Sequence, residues 1–244
     1  MISAGVTSLN LPERIAAARQ RIWFHAPPYG RFAAAAPLCE ALHATLSRPQ
    51  GPCLTIATLP CMEISWMPDF MRLLRPHANR QALQQELADS DNFLRQLKND
   101  HPERVHIRTI HLRPSLPVLI IDDTIYFGHF AHSATLTPDG FWCTVTAPVE
   151  ELLRIAAHPA MPHAAHGPVA EQHAAQDLVS EQYTAQMLVS EQHTAQVLVS
   201  EQHTAQMLVP EHRAALRIVE ECVTSTCSAA ESAVPFTQQT TTEP

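Results

Sequence analysis

Five residues between positions 111 and 132 have the types that nucleophilic and acid–base chemistry uses: His111, Arg113, Asp122, His129 and His132. An imidazole can attack as a nucleophile or pass a proton near neutral pH, and a guanidinium can offset anionic charge building on a transferring group. Spacing decides whether such types can act together. His111 and Arg113 stand two apart, Asp122 and Asp123 are adjacent, and His129 and His132 follow closely. Asp-Asp is also a good hairpin turn with no chemistry attached. Farther forward, Arg31 follows Tyr29-Gly30 after a first strand, where α/β sheets often bind ligands. A guanidinium there could meet an anion, and a solvated loop arginine is the plain alternative.

The elements that must position these side chains are read from periodicity. Residues 12–21 form a short helix with Pro12 in its first turn, and 21–26 (RIWFHA) a buried strand that ends in the turn Pro27-Pro28-Tyr29-Gly30. Residues 31–47 carry Phe32, Ala35, Ala36, Cys39, Leu42 and Leu46 at helical spacing, with a start or kink at Pro37. A second buried strand covers 53–59, and helices cover 68–74 and 80–99, the latter with an apolar stripe of Leu83, Leu87, Phe93, Leu94 and Leu97. Strands follow quickly at 105–112, 118–121, 124–127 and 140–146, and a helix at 149–157. This order predicts an α/β fold with a mixed sheet, one domain over residues 1–157.

The segment SLPVLIIDDTIYFGHFAHS, residues 115–133, resembles the signature of the phospholipase D superfamily. In that family a strand carries His-x-Lys, four further residues and Asp, then a hairpin and a Gly-Ser-x-Asn turn. The resemblance spans roughly residues 20–157, and this one motif is its specific part. It implies phosphodiester chemistry: one His attacks phosphorus, a His from a second copy protonates the leaving group, and the Lys stabilises the phosphoryl oxygens. Only Asp122 and Gly128 match the pattern. Ser115 stands at the His position, Pro117 at the Lys position, His129 for the Ser and Ala131 for the Asn. His111-x-Arg113 repeats the His-x-cation spacing four residues too early. The expectation is therefore a phospholipase D-like domain kept without its catalytic site, serving as a regulatory or interaction module. The alternative is a phosphodiesterase or nuclease that uses His111, His129 or His132 as a displaced site in a dimer.

Charge divides the chain sharply. Residues 1–150 hold 13 basic and 13 acidic residues, whereas 151–244 hold three basic and 11 acidic, so the net charge of −8 lies in the tail. Such a tail is repelled by phosphate backbones, which disfavours nucleic acid as its partner. Nothing comparable decides the matter for the domain. The six Cys are irregularly spaced and read as reduced thiols. With no basic segment followed by an apolar core at the N-terminus, and no apolar run long enough to span a bilayer, the expected location is cytoplasmic. No Gly-rich phosphate loop, nucleophile elbow or His-Glu-x-x-His occurs, and neither cofactor nor metal is expected.

A linker at 158–168 leads into five decapeptides over 169–218: VAEQHAAQDL, VSEQYTAQML, VSEQHTAQVL, VSEQHTAQML and VPEHRAALRI. Good helix formers and the absence of Gly suit a helix, with disorder as the other reading. Ten residues fall about 80° short of three turns, so no single apolar stripe persists from unit to unit. His193 and His203 would lie about 15 Å apart along such a helix and cannot share one ion. The repeats are expected to self-associate or to bind a protein partner, and a scaffold acting through them is a third functional reading. Residues 219–244 read as a disordered tail.

Overall fold

The computed structural model describes residues 1–60, 64–129, 139–157 and 209–228. Strand β1 (Ile2–Ala4) and a 3-10 turn (Val6–Leu9) lead into helix α1 (Leu11–Ala17) and strand β2 (Arg21–His25). Then come α2 (Gly30–Ala33), α3 (Ala36–Leu46), β3 (Cys53–Thr58), α4 (Met67–Leu74), α5 (Arg80–Asp100) and β4 (Val105–Ile110). The antiparallel run β5 (Val118–Ile121), β6 (Thr124–Phe127) and β7 (Phe141–Thr146) precedes α6 (Val149–Ala157). Helix α7 (Pro210–Thr224) and strand β8 (Thr226–Ser228) come last among the described residues.

The eight strands among the described residues share one mixed sheet in the order β1-β7-β6-β5-β2-β3-β4-β8. Strands β2, β3 and β4 run parallel, and the other pairings are antiparallel. The alternation of a strand sorts its side chains between two cores. Ile22 and Phe24 of β2 join Leu119 and Ile121 of β5 under α1, α3 and α5. Trp23 of β2 joins Val118 and Ile120 of β5 under α6 and α7. A strand covered on both faces has no polar alternation to show, which is why 118–121 is apolar throughout.

The helices start and stop for local reasons. Asn79 caps α5, its Oδ1 accepting from the Ala82 backbone N–H at 2.8 Å. The helix expected over 31–47 is divided in two: α2 ends at Ala33 and α3 begins at Ala36, with Pro37 in the first turn, where its missing N–H costs nothing.

The described residues beyond 157 also pack on this sheet. Part of the fifth decapeptide and the residues after it return to the sheet as α7 and β8. Ala215, Leu216, Val219 and Cys222, spaced three and four apart, are buried with Leu152, Ile155 and Ala156 of α6. The reason is visible in one position of the repeat. Leu216 replaces the glutamine that the earlier units carry as Gln176, Gln186, Gln196 and Gln206. That exchange completes an apolar stripe running on into Val219 and Cys222. Strand β8 then pairs antiparallel with β4, Arg108 opposite Ser228 and Ile110 opposite Thr226, and covers an edge that would otherwise expose unpaired backbone groups. Residues 219–224 continue α7, and Thr226–Ser228 form β8. The first four decapeptides, with the linker at 158–168 and the residues after 228, lie outside the described residues.

Candidate functional site

Asp122 sits at the tip of the β5–β6 hairpin with φ of 50°, a left-handed conformation that aspartate tolerates better than most residues. Its carboxylate accepts hydrogen bonds from three successive backbone N–H groups: Arg19 at 3.0 Å, Gln20 at 2.7 Å and Arg21 at 3.1 Å. Three consecutive amides form a concave nest that holds an anion, and here the anion is a side chain of the protein itself. Its neighbour Asp123 accepts from the Val149 backbone N–H at 3.2 Å and, through its carbonyl, from Ala147 at 3.0 Å. The pair therefore ties the hairpin to the entry of β2 on one side and to the start of α6 on the other.

At the opposite end of β5 are the positions that correspond to His and Lys in the phospholipase D pattern. Pro117 is buried, and its carbonyl accepts from the Gly128 N–H at 3.1 Å. Ser115 is exposed, and its backbone N–H donates to Oε1 of Glu221 on α7 at 2.6 Å. The His111 backbone N–H donates to the Ser225 carbonyl at 2.8 Å. The segment after the repeats thus fastens itself to the loops where that pattern puts its chemistry.

A histidine that belongs to no sequence motif lies beneath this segment. His25 closes β2, is fully buried, and shares a 2.9 Å hydrogen bond between Nε2 and Ser225 Oγ. Burial holds its imidazole below the ordinary value, opposed in part by the Glu221 carboxylate. A hydroxyl within reach of an imidazole has the makings of a nucleophile and its base. Ser225, however, is only 2% exposed, so neither partner meets solvent. The only sequence signal for His25 was one polar residue in an apolar strand, which reads equally well as packing. Beside it, the Arg108 guanidinium lies over the Trp23 ring, 5.5 Å from its centroid.

The remaining candidates are spread along the sheet. His111 and Arg113 are exposed after β4, and His129 is exposed after β6. In the sheet order β4 and β6 are four strand spacings apart, about 19 Å. His132 lies outside the described residues. Among the described residues, no cluster of three or more His, Cys, Asp or Glu is placed to hold a metal ion. Nor is any described helix long and apolar enough to cross a membrane.

Arg31 has a different setting. It is exposed on α2 and lines a cavity of about 640 Å³ on the α1–α3 side of the sheet. Tyr29 forms part of the wall and is fixed on all sides. Its hydroxyl donates to the Phe24 carbonyl at 3.0 Å, and its backbone N–H donates to Ser90 Oγ at 3.0 Å. Phe32, Leu119 and Trp142 are among the apolar residues that line it.

No protein-family model matches the chain, and no curated protein matches it. Among solved structures it is similar to TrmBL2, an archaeal chromatin protein described with a novel mode of DNA binding. That likeness has 12% identity and a TM-score of 0.34, over 62% of this chain and 47% of that one. It is also similar to a phosphatidylserine synthase from Haemophilus influenzae Rd KW20, at 12% identity and a TM-score of 0.37, over 66% of this chain and 36% of that one. The matched region spans less than half of either protein's length.

Proposed function

We propose that this protein is a non-catalytic regulatory or interaction module on a degenerate phospholipase D-like scaffold. The observation that carries the reading is the contact of α7 with the loop before β5. Glu221 bonds the backbone of Ser115, the position of the pattern's nucleophilic histidine, and Ser225 bonds the nearby His25. The histidine and lysine that phosphodiester chemistry needs are replaced there by Ser115 and Pro117, and the Ser115 amide is tied to α7. Asp122 supports the same reading, because its carboxylate already satisfies three backbone donors. The test is turnover of bis(p-nitrophenyl) phosphate by the full-length protein at high concentration. Steady hydrolysis that disappears in His111→Ala or His129→Ala overturns the proposal in favour of a displaced catalytic site.

The decapeptides are proposed to supply self-association or a protein contact. The fifth unit is a partial parallel: Ala215 at its seventh position is buried against a neighbouring helix with Val219 just beyond, whereas Leu216 beside it stands where the earlier units carry Gln. Ala at the seventh position, Leu at the tenth and Val at the first recur in the four earlier units. Their acidity points to a partner that is not nucleic acid.

A further inference from the structure

The cavity beside Arg31 has a cause in the sequence. Residues 32–37 read Phe-Ala-Ala-Ala-Ala-Pro, and this run bridges α2 and α3. Ala35 and Pro37 both line the space, and neither has the bulk to fill it. The opposite wall is rigid: Leu119 comes from β5, Trp142 from β7, and both are buried. Protein interiors pack with few voids larger than a water molecule, so about 640 Å³ of apolar-walled space is not ordinary slack. It falls within the range of small-molecule sites, which are concave and largely apolar with a few polar groups.

The charges at its edge select among ligands. Glu13, Asp139 and Arg31 are exposed and line the opening. Arg75 also lines it, but its guanidinium is paired with the Glu86 carboxylate. Among the described residues, two carboxylates at the opening thus accompany one arginine, Arg31, that is in no ion pair with another described residue. An anion, and a phosphate ester above all, meets no net attraction there. We infer that the cavity binds a compact, uncharged and mainly apolar small molecule, whose polar end is met by Thr7 and Asn10 at the rim. This goes beyond the non-catalytic reading and does not depend on it, since the cavity lies on the opposite face of the sheet from α7.

Nile red, an uncharged dye, tests the inference on the full-length chain. Its fluorescence should rise and shift to the blue on binding, and decanol should displace it more readily than decyl phosphate. Ala35→Trp fills the space and should weaken the dye by about tenfold or more. Pro37→Phe, at an exposed rim position, crowds the mouth without entering the core and should weaken it in the same direction. Absence of dye binding, or binding that both variants leave unchanged, overturns the inference. So does equal or better displacement by decyl phosphate. Displacement by the peptide VSEQHTAQML would assign the cavity to the protein's own repeats and overturn the small-molecule assignment as well.

Discussion

Oε1 of Glu221 accepts the Ser115 backbone N–H at 2.6 Å across 106 residues of sequence. The bond joins the segment that follows the decapeptides to the loop where a phospholipase D-like site would place its histidine. Glu221→Ala should loosen α7 without unfolding the sheet. Amide hydrogen exchange over 210–228 should accelerate, while β2 and β5 keep their protection. Uniform acceleration across all three segments would show that α7 is not a separable unit.

Leu216→Gln restores the residue of the four earlier decapeptides and puts a polar group among Leu152, Ile155 and Val219. The expected cost is about 2–3 kcal/mol, from lost burial and an unsatisfied amide. Urea denaturation followed by circular dichroism measures it. A change within experimental scatter would mean that α7 does not rest on α6 in solution.

Asp122→Ala should destabilise the fold by about 2 kcal/mol, because Arg19, Gln20 and Arg21 lose the acceptor of their N–H groups and the turn loses a residue suited to its φ. Asp122→Asn keeps an oxygen and the turn preference, and should cost less. The same denaturation experiment ranks the two, and equal effects would contradict the role assigned to the carboxylate.

His25 gives stability a pH dependence of definite sign. Burial holds the folded-state imidazole below its ordinary value of 6.5. Above that pH both folded and unfolded chains are neutral there, and the group has no effect. As pH falls through 6.5 the unfolded chain takes a proton that the folded chain refuses. Stability then declines by up to about 1.4 kcal/mol per pH unit until the folded-state value is reached. His25→Gln should flatten this part of the profile. A residual slope is expected from His101, which burial shifts in the same direction. An unchanged profile would refute the assignment.

Much of the fold between residues 12 and 157 is legible in the sequence because periodicity and turn residues agree there. The buried strands at β2, β3 and β5 and the stripe of α5 are local patterns. What escaped is non-local. β1 is three residues long, too short to show a period, and is specified by pairing with β7. α7 was hidden inside a repeat, where one Gln-to-Leu exchange at position 216 matters more than the repeat itself. Asp122 showed its type, but its partners lie about a hundred residues earlier in the chain. The cavity follows from small residues in 32–37, and smallness has no periodic signature.

The decapeptides carry a prediction of their own. Removing residues 169–208 keeps Pro210–Ser228 available to α6 and β4. Sedimentation velocity should then show loss of any self-association of the full chain, with a folded monomer remaining. Oligomers that persist after the deletion would move the contact into the domain.

The most direct test of the central claim is hydrolysis of bis(p-nitrophenyl) phosphate, measured side by side for the full-length protein and its His25→Ala, His111→Ala and His129→Ala variants. The account predicts that all four rates equal that of buffer alone, at any protein concentration. A rate that rises with protein concentration and is abolished by one of the three substitutions would contradict it and identify the catalytic histidine.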